Sequence, residues 1–239
     1  MHYRISRGIY VVGGGELSSL ADNNVYLITM NNEKLLLYDS GSPWGVIAVI
    51  RNIMELGFSP RKIEYVVISH AHIESAGGAS TLYWINNNVK TIAHEPDSTM
   101  IRQGDPLYTN SCVYNVDFPS YPITISLSMS IKEYNVVERP LIKLFHTPGH
   151  TKGLITLVYE DSDERIAFIS DALGPLCSSW LSDDRDFMET LDFLQKMDCT
   201  KYCSSTKCYS RKEFNALVET IMEKGVDALR VKCCSKKYG

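Results

Sequence analysis

The stretch Tyr65-Val66-Val67-Ile68-Ser69-His70-Ala71-His72-Ile73-Glu74 decides the fold of this chain. Its first half is apolar and β-branched, which is typical of a buried strand. The small residues that follow, up to Gly78, predict that the chain then turns into a helix. His70 and His72 are two residues apart, so in extended backbone both rings project from the same side. The sequence therefore predicts a strand end at which two imidazoles and a carboxylate can hold a metal ion.

Two later strand ends carry further residues of the ligand type. A second apolar run leads into His146-Thr147-Pro148-Gly149-His150, and a third, over 165–170, ends at Asp171. The chain has only six histidines. If they were ordinary core histidines, there would be no reason for several of them, and for acidic residues, to lie at the ends of strands. The candidate metal ligands are His70, His72, His150, Asp171 and Glu74.

In this pattern the chain resembles the metallo-β-lactamase superfamily. The signature of that family is H-x-H-x-D-H, then a histidine in a T-P-G-H-T turn, then an aspartate and a final histidine. Residues 24–28 and 36–41 resemble the early strands of the family, and the resemblance covers nearly the whole chain. It implies an α/β fold, a four-layer αββα sandwich with the metal site at the strand ends along one edge. Residues 1–239 are expected to form a single domain, because no linker or low-complexity block divides them.

The chain departs from the family signature at the second metal site. Glu74 stands where the family has aspartate, Ser75 stands where it has histidine, and no histidine follows His150. The second site has therefore lost both imidazoles, whereas the first keeps its three histidines, so we expect one metal ion rather than two. Cys203 or Cys208, in the loop that would carry the final histidine, is an alternative replacement ligand.

Two kinds of metal ion, zinc and iron, fit the ligands that remain at the first site. Three neutral imidazoles with one open position form the catalytic zinc arrangement, in which bound water reaches a pKa of about 7. Alternatively, His70, His150 and Asp171 form the 2-His-1-carboxylate set of non-haem iron enzymes, and the resemblance supports this because persulfide dioxygenases of the superfamily use the matching positions. We expect a hydrolase of a small ester, thioester or lactone that uses a zinc-bound hydroxide. An iron oxygenase and a non-catalytic metal-binding protein are the alternatives.

Three acidic residues are expected to support this chemistry. Glu74 is a candidate general base, or reaches the metal itself; the plainer alternative is an acid that stabilises a helix N-terminus. Asp171 is expected to bind metal and to handle the proton. Asp39, which follows an apolar run, is predicted to orient a metal-bound histidine. The remaining histidines near strand ends, His94 and His146, are not expected to be ligands.

Composition and charge limit the classes of molecule that this chain is expected to bind. The chain is 44% hydrophobic with a net charge of −4, which fits a compact enzyme and gives no attraction to nucleic acid. We expect a small-molecule substrate, no membrane association and a cytoplasmic location with reduced cysteines. Cys233 and Cys234 are expected to lie in a solvated basic tail. The irregular, aromatic-rich segment 104–130 is expected to be a pocket wall, a homodimer contact or an ordinary surface loop.

Hydrophobic periodicity places the regular elements. It predicts strands at 8–12, 25–30, 35–38, 65–69, 90–93, 141–145, 154–160 and 165–170, and a short strand before 203. It predicts helices at 44–56, 78–86, 186–197 and 211–224. Residues 173–180, directly after Asp171, are a further candidate wall of the pocket.

Overall fold

The computed structural model describes residues 2–162 and 164–234, and the strands and helices lie within that part of the chain. The strands are β1 (Tyr3–Ser6), β2 (Ile9–Gly13), β3 (Val25–Thr29), β4 (Leu35–Tyr38), β5 (Ile63–Val67), β6 (Lys90–His94), β7 (Ile125–Leu127), β8 (Glu133–Glu138), β9 (Leu141–His146), β10 (Ile155–Asp161), β11 (Glu164–Ser170), β12 (Lys201–Ser204) and β13 (Cys208–Ser210). The helices are α1 (Val46–Glu55), α2 (Ile73–Ala76), α3 (Ala79–Ile85), α4 (Asp97–Gln103), α5 (Asp184–Lys196) and α6 (Arg211–Lys224).

The strands form two sheets. One has the order β1-β2-β3-β4-β5-β6-β7, and the other has the order β13-β12-β11-β10-β9-β8. Strands β4 to β7 run parallel to one another, and β11 runs parallel to β12. Parallel strands end at the same edge of their sheet, so the residues that follow β4, β5, β11 and β12 are brought towards common edges. These are the segments that carry most of the predicted site.

Alternation of side chains along the strands creates four layers. On β3, Val25 and Leu27 pack in the core that α1 covers, whereas Tyr26 and Ile28 pack in the core between the two sheets. On β11, Phe168 faces the core between the sheets. The neighbouring residues of β11 pack instead against helices α5 and α6. Because every second side chain faces the same side of a strand, each sheet buries both faces. The αββα sandwich predicted from the sequence is therefore confirmed.

The predicted elements are confirmed with small shifts at their ends. The elements that periodicity missed are short or irregular: β1, β7, β8, β13, α2 and α4. Each has seven residues or fewer, which is too short for a clear period of 2.0 or 3.6 residues. In the described part of the chain, every helix is too short or too polar to cross a bilayer.

The cysteines differ from expectation. Six of the seven form three disulfide bridges, Cys112–Cys234, Cys177–Cys233 and Cys203–Cys208, and Cys199 is free and buried. The expectation of reduced thiols was therefore wrong for these six. The two tail cysteines are partly exposed, as expected, but both are bonded. Their partners lie far away in sequence, so spacing alone did not indicate these bridges.

Candidate metal centre

His70 and His72 lie in the bend between β5 and α2. The strand ends at Val67, two residues earlier than predicted, so the two rings converge through a turn rather than through strand alternation. The backbone N–H of Ile155, on β10, donates to the carbonyl oxygen of Ser69 over 2.9 Å, which ties this bend to the other sheet. Both rings are buried, with exposures of 0% for His70 and 3% for His72.

His150 is presented by the turn that joins β9 to β10. Gly149 has a φ of +141°, a conformation that L side chains rarely adopt. A Cβ at this position would also collide with the backbone of Phe187 at the start of α5. The backbone N–H of Asp183 donates to the carbonyl oxygen of Gly149 over 3.1 Å. Glycine is therefore required at this position for the turn to dock against α5 and for His150, 1% exposed, to point inward.

Four of the five predicted ligands converge. The ligand atoms of His70, His72, His150 and Asp171 all lie within 4.8 Å of one another. Nε2 of His150 lies 3.2 Å from Nδ1 of His72. Oδ2 of Asp171 lies 3.3 Å from Nε2 of His70 and 3.7 Å from Nε2 of His150. The side chain of Asp171 is 14% exposed, so the group lies just below the surface at the end of β11.

The donor set fits a cation. Nδ1 of His150 lies 2.5 Å from the carbonyl oxygen of Pro175, so this nitrogen carries the proton and Nε2 keeps its lone pair. Two imidazole nitrogens that face each other beside a carboxylate oxygen leave lone pairs directed at a shared centre. A divalent metal satisfies that arrangement, and the mixture of imidazole and carboxylate suits zinc or iron.

Ser69 links Asp39 to the first histidine. The hydroxyl of Ser69 donates to Oδ2 of Asp39 over 2.9 Å, and Nδ1 of His70 lies 2.8 Å from the same hydroxyl oxygen. That oxygen can therefore accept the Nδ1 proton, which leaves Nε2 free for metal. Asp39 orients a ligand as predicted, but it acts through Ser69 rather than by direct contact. Burial raises the pKa of Asp39 to about 6.

Burial also sets the protonation of the ligands. It lowers the pKa of His150 to about 4, and burial together with the neighbouring rings lowers the pKa of His72 well below its usual value. Both rings are thus neutral near pH 7. For His70 and Asp171, burial opposes charge, but their mutual contact and attraction raise the pKa of His70 and hold that of Asp171 below its usual range. A bound cation would replace the proton that these two otherwise share.

Glu74 lies outside this group of four. It is the second residue of α2, and its Oε1 accepts hydrogen bonds from Nδ2 of Asn110 over 2.8 Å and from the hydroxyl of Tyr114 over 3.0 Å. Its other oxygen, Oε2, is buried and has no hydrogen-bond partner among the described residues. Burial raises the pKa of Glu74. Its roles as metal ligand and as general base remain predictions.

Neutral polar side chains hydrogen-bond to Asp171. Nδ2 of Asn23 lies 2.8 Å from Oγ of Ser75 and 3.0 Å from Oδ2 of Asp171. Ser205, in the loop after β12, also hydrogen-bonds to Asp171. Cys203 and Cys208 are bonded to each other, and neither belongs to the metal-binding group, so their alternative role as replacement ligands is wrong.

Asp97 is a site residue that sequence reasoning missed. Its Oδ2 accepts hydrogen bonds from the N–H of Ala71 over 2.8 Å and from Oγ1 of Thr151 over 2.9 Å. Its Oδ1 accepts from the N–H of Gly153 and from the hydroxyl of Tyr108, each over 2.7 Å. One carboxylate therefore joins the loop of His70 and His72 to the turn of His150. An acid at the start of α4, directly after a buried parallel strand, was the available signal.

Trp180 forms one wall of the centre. Its ring centroid lies 4.4 Å from that of His72 and 5.2 Å from that of His150. It belongs to the segment 173–180 that follows Asp171, so part of that segment lies against two of the clustered histidines. The role of the segment as a wall of the substrate pocket remains a prediction. His94 and His146 stack on each other elsewhere and are not part of the metal-binding group.

Known proteins are similar to this chain in sequence and in fold. Residues 20–203 match the family model of the metallo-β-lactamase superfamily. An N-acyl homoserine lactonase from Bacillus sp is 27% identical over 112 residues, which cover 47% of this chain. The match spans 39% of the length of that lactonase.

Solved structures have the same fold. A subclass B3 metallo-β-lactamase from a soil metagenome library superposes with a TM-score of 0.73 at 17% identity, over 95% of this chain and 96% of the other. A metallo-β-lactamase from Cronobacter sakazakii gives a TM-score of 0.76 at 16% identity, over 96% and 98%. A B3 metallo-β-lactamase with an active-site glutamic acid gives 0.73 at 20% identity, over 95% and 90%. With two packed sheets, a convergent histidine cluster and a family match over most of its length, the chain belongs to the metallo-β-lactamase superfamily.

Proposed function

We propose that this chain hydrolyses a small ester, thioester or lactone with a single zinc ion held by His70, His72 and His150. The observation that carries the proposal is the convergence of these three rings and Asp171 on one buried centre. The Asn23–Ser75 pair beside Asp171 supports one ion, because amide and hydroxyl groups fill the place where a second set of imidazoles would stand.

The chain contributes orientation and proton transfer. A bound zinc ion would polarise the substrate carbonyl and lower the pKa of a bound water to about 7. In this proposal Asp171, whose Oδ2 accepts a hydrogen bond from Asn23, would orient that water and accept its proton. Glu74 is the proposed general base, because Oε2 is buried and unpaired while Oε1 is fixed by Asn110 and Tyr114.

A small, uncharged or anionic substrate is favoured over nucleic acid. The net charge of −4 offers no general attraction to a polyanion. The partial match to an N-acyl homoserine lactonase supports a cyclic ester as the first substrate to test.

Elemental analysis of protein purified without added metal tests the proposal. We expect one zinc per chain, and loss of that zinc in H70A and H150A. The matched control is H146N, which removes a histidine four residues before His150 that lies outside the metal-binding group, so it should keep its zinc. One iron per chain, with oxygen uptake, would replace the hydrolase by the oxygenase. No bound metal, with an unchanged fold in H70A, would leave a non-catalytic protein.

A further inference from the structure

The last described residues hold two adjacent cysteines that bond to two different parts of the fold. Cys233 is bonded to Cys177, in the segment after β11, and Cys234 is bonded to Cys112, in the 3-10 helix Ser111–Tyr114. The two bridges close 56 and 122 residues of sequence separation. A pair of neighbouring residues thus joins segments that belong to opposite halves of the chain.

The segment that holds Cys177 contacts the candidate metal centre. Cys177 lies two residues after Pro175, whose carbonyl accepts from His150, and three residues before Trp180, whose ring packs on His72. The tail also pairs with this segment through its backbone. The N–H of Leu176 donates to the carbonyl of Leu229, and the N–H of Val231 donates to the carbonyl of Leu176, each over 3.0 Å.

The segment that holds Cys112 contacts Glu74. Asn110 and Tyr114, which flank Cys112, both donate to Oε1 of Glu74. The ring of Tyr114 also packs on Trp44, with centroids 5.2 Å apart. The tail therefore connects the segment that holds His150 in place with the segment that holds Glu74 in place.

We propose that Cys112, Cys177, Cys233 and Cys234 form a thiol–disulfide modification site that controls access to the metal centre. With both bridges formed, the tail fastens the two flanking segments together. The three histidines are then at most 3% exposed, which leaves little room for a substrate to approach. Reduction detaches the tail and lets the two segments separate.

The redox step is an exchange with a dithiol. Each bridge accepts two electrons and two protons from the dithiol, its S–S bond breaks into two thiols, and the dithiol closes to its own disulfide. Access suits this exchange, because Cys112, Cys233 and Cys234 are partly exposed whereas Cys177 is buried. Attack is expected first at Cys112–Cys234.

Thiol counting tests whether the bridges exist in solution. N-ethylmaleimide added to denatured, unreduced protein should label one cysteine, Cys199, and after reduction it should label all seven. Labelling of Cys233 or Cys234 before reduction would overturn the proposal.

Limited trypsin digestion tests release of the tail. Arg230 and Lys232 are exposed, but the backbone around them is paired with Leu176 and lies next to the bridges. We expect dithiothreitol to speed cleavage after these residues at least about tenfold. The variant C233S/C234S, which can form neither bridge, should be cleaved rapidly without reductant. The matched control, C199S, should behave like the wild-type chain, and equal cleavage with and without reductant would contradict the proposal.

Metal exchange links the tail to the centre. Zinc-loaded C233S/C234S should lose zinc to EDTA at least about tenfold faster than the wild-type chain, both without reductant. This readout rests on the proposed zinc site. If the wild-type chain binds no zinc, the proposed function fails, whereas the trypsin result still reports on the tail. If zinc binds and leaves both proteins at the same rate, the tail does not control access.

Discussion

At the scale of single residues, Asp97 shows how a side chain outside the ligand set can fix the ligands. A buried carboxylate is stable only when its oxygens are well hydrogen-bonded. Asp97 meets this need with donors from both ligand-bearing loops, Ala71 on one side and Thr151 and Gly153 on the other. The cost of burying its charge is thereby offset by groups that must be held in place for metal binding.

The variant D97N should bind zinc about 10- to 100-fold more weakly. The amide nitrogen cannot accept a hydrogen bond, so one pair of donors loses its partner and one ligand loop is released. Competition with a chromogenic chelator measures the affinity, and the spectrum of the cobalt-substituted protein reports on ligand geometry. Y108F removes only one donor and should change the affinity less. Wild-type affinity and spectrum in folded D97N would show that Asp97 does not position the ligands.

Glu74 can be tested without disturbing the metal. The variant E74Q keeps the size of the side chain and its contact with Asn110 but cannot accept a proton. We expect kcat to fall by about 10²-fold or more with zinc retained, measured on a lactone or ester that the wild-type chain hydrolyses. Near-normal turnover would remove Glu74 from the mechanism, and loss of zinc would instead support its alternative role as a ligand.

At the scale of elements, the loop after β12 and the start of α2 place neutral polar side chains beside Asp171. The loop holds Ser205, which hydrogen-bonds to Asp171, and the helix start holds Ser75 where the family signature has a histidine. Asn23 fills the space between Ser75 and Asp171. The backbone of the loop after β12 is also held in place by hydrogen bonds. For example, the N–H of Ser205 donates to the carbonyl of Ser170 over 3.1 Å. We therefore propose that the serines at these two positions keep the chain to one metal ion.

The variant N23A/S75H/S205H should hold two zinc ions per chain. Removal of the Asn23 side chain makes room, and the two imidazoles join Asp171 to complete a second set of donors. Elemental analysis after dialysis gives the stoichiometry. N23A alone makes room without adding ligands and should keep one ion. A folded triple variant that still holds one ion would mean that the serines are not what excludes the second.

At the scale of the whole molecule, the two sheets are also joined away from the metal. His94 ends β6 in one sheet and His146 ends β9 in the other, and their rings stack with centroids 3.9 Å apart and planes 9° apart. Nε2 of His146 lies 2.9 Å from the carbonyl oxygen of Lys152, and its Nδ1 lies 3.1 Å from Nζ of Lys132. A neutral His146 ring satisfies both contacts, and a protonated ring would repel Lys132.

This contact makes the stability of the chain sensitive to acid. Burial lowers the pKa of His146 to about 4, whereas in the unfolded chain the value is about 6.5. The unfolded state therefore binds more protons between these values, and stability is lost as the pH falls from about 6.5 to about 4. Because the ring is half-buried, we expect an effect of only about 1 kcal/mol.

Urea denaturation of the metal-free protein at about pH 7.5 and about pH 5 measures this effect. The free energy of unfolding should fall by about 1 kcal/mol more in the wild-type chain than in H146Q, which lacks the titrating ring. Equal falls in the two proteins would show that His146 does not carry the dependence.

The layers of the fold and the residues that cluster at the strand ends could be predicted from sequence because both depend on local patterns. Val25 to Ile28 alternate between two cores, and His70, His72, His150 and Asp171 each follow an apolar run. Contacts between distant segments left no such pattern. The four donors to Asp97 come from three separate loops. The partners of Cys233 and Cys234 lie 56 and 122 residues away, and seven cysteines allow many pairings.

The position of Trp180 allows the candidate metal centre to be followed by tryptophan fluorescence. Its indole is 6% exposed and packs on two of the ligand rings, whereas Trp44 and Trp84, the other tryptophans of the chain, are 43% and 80% exposed. Their emission is readily dampened by a soluble quencher such as iodide, which leaves the signal of the shielded indole. A paramagnetic ion bound beside that indole would quench its fluorescence, and a closed-shell ion would not. Trp180 can thus serve as an intrinsic fluorescent probe of which kind of ion the chain binds.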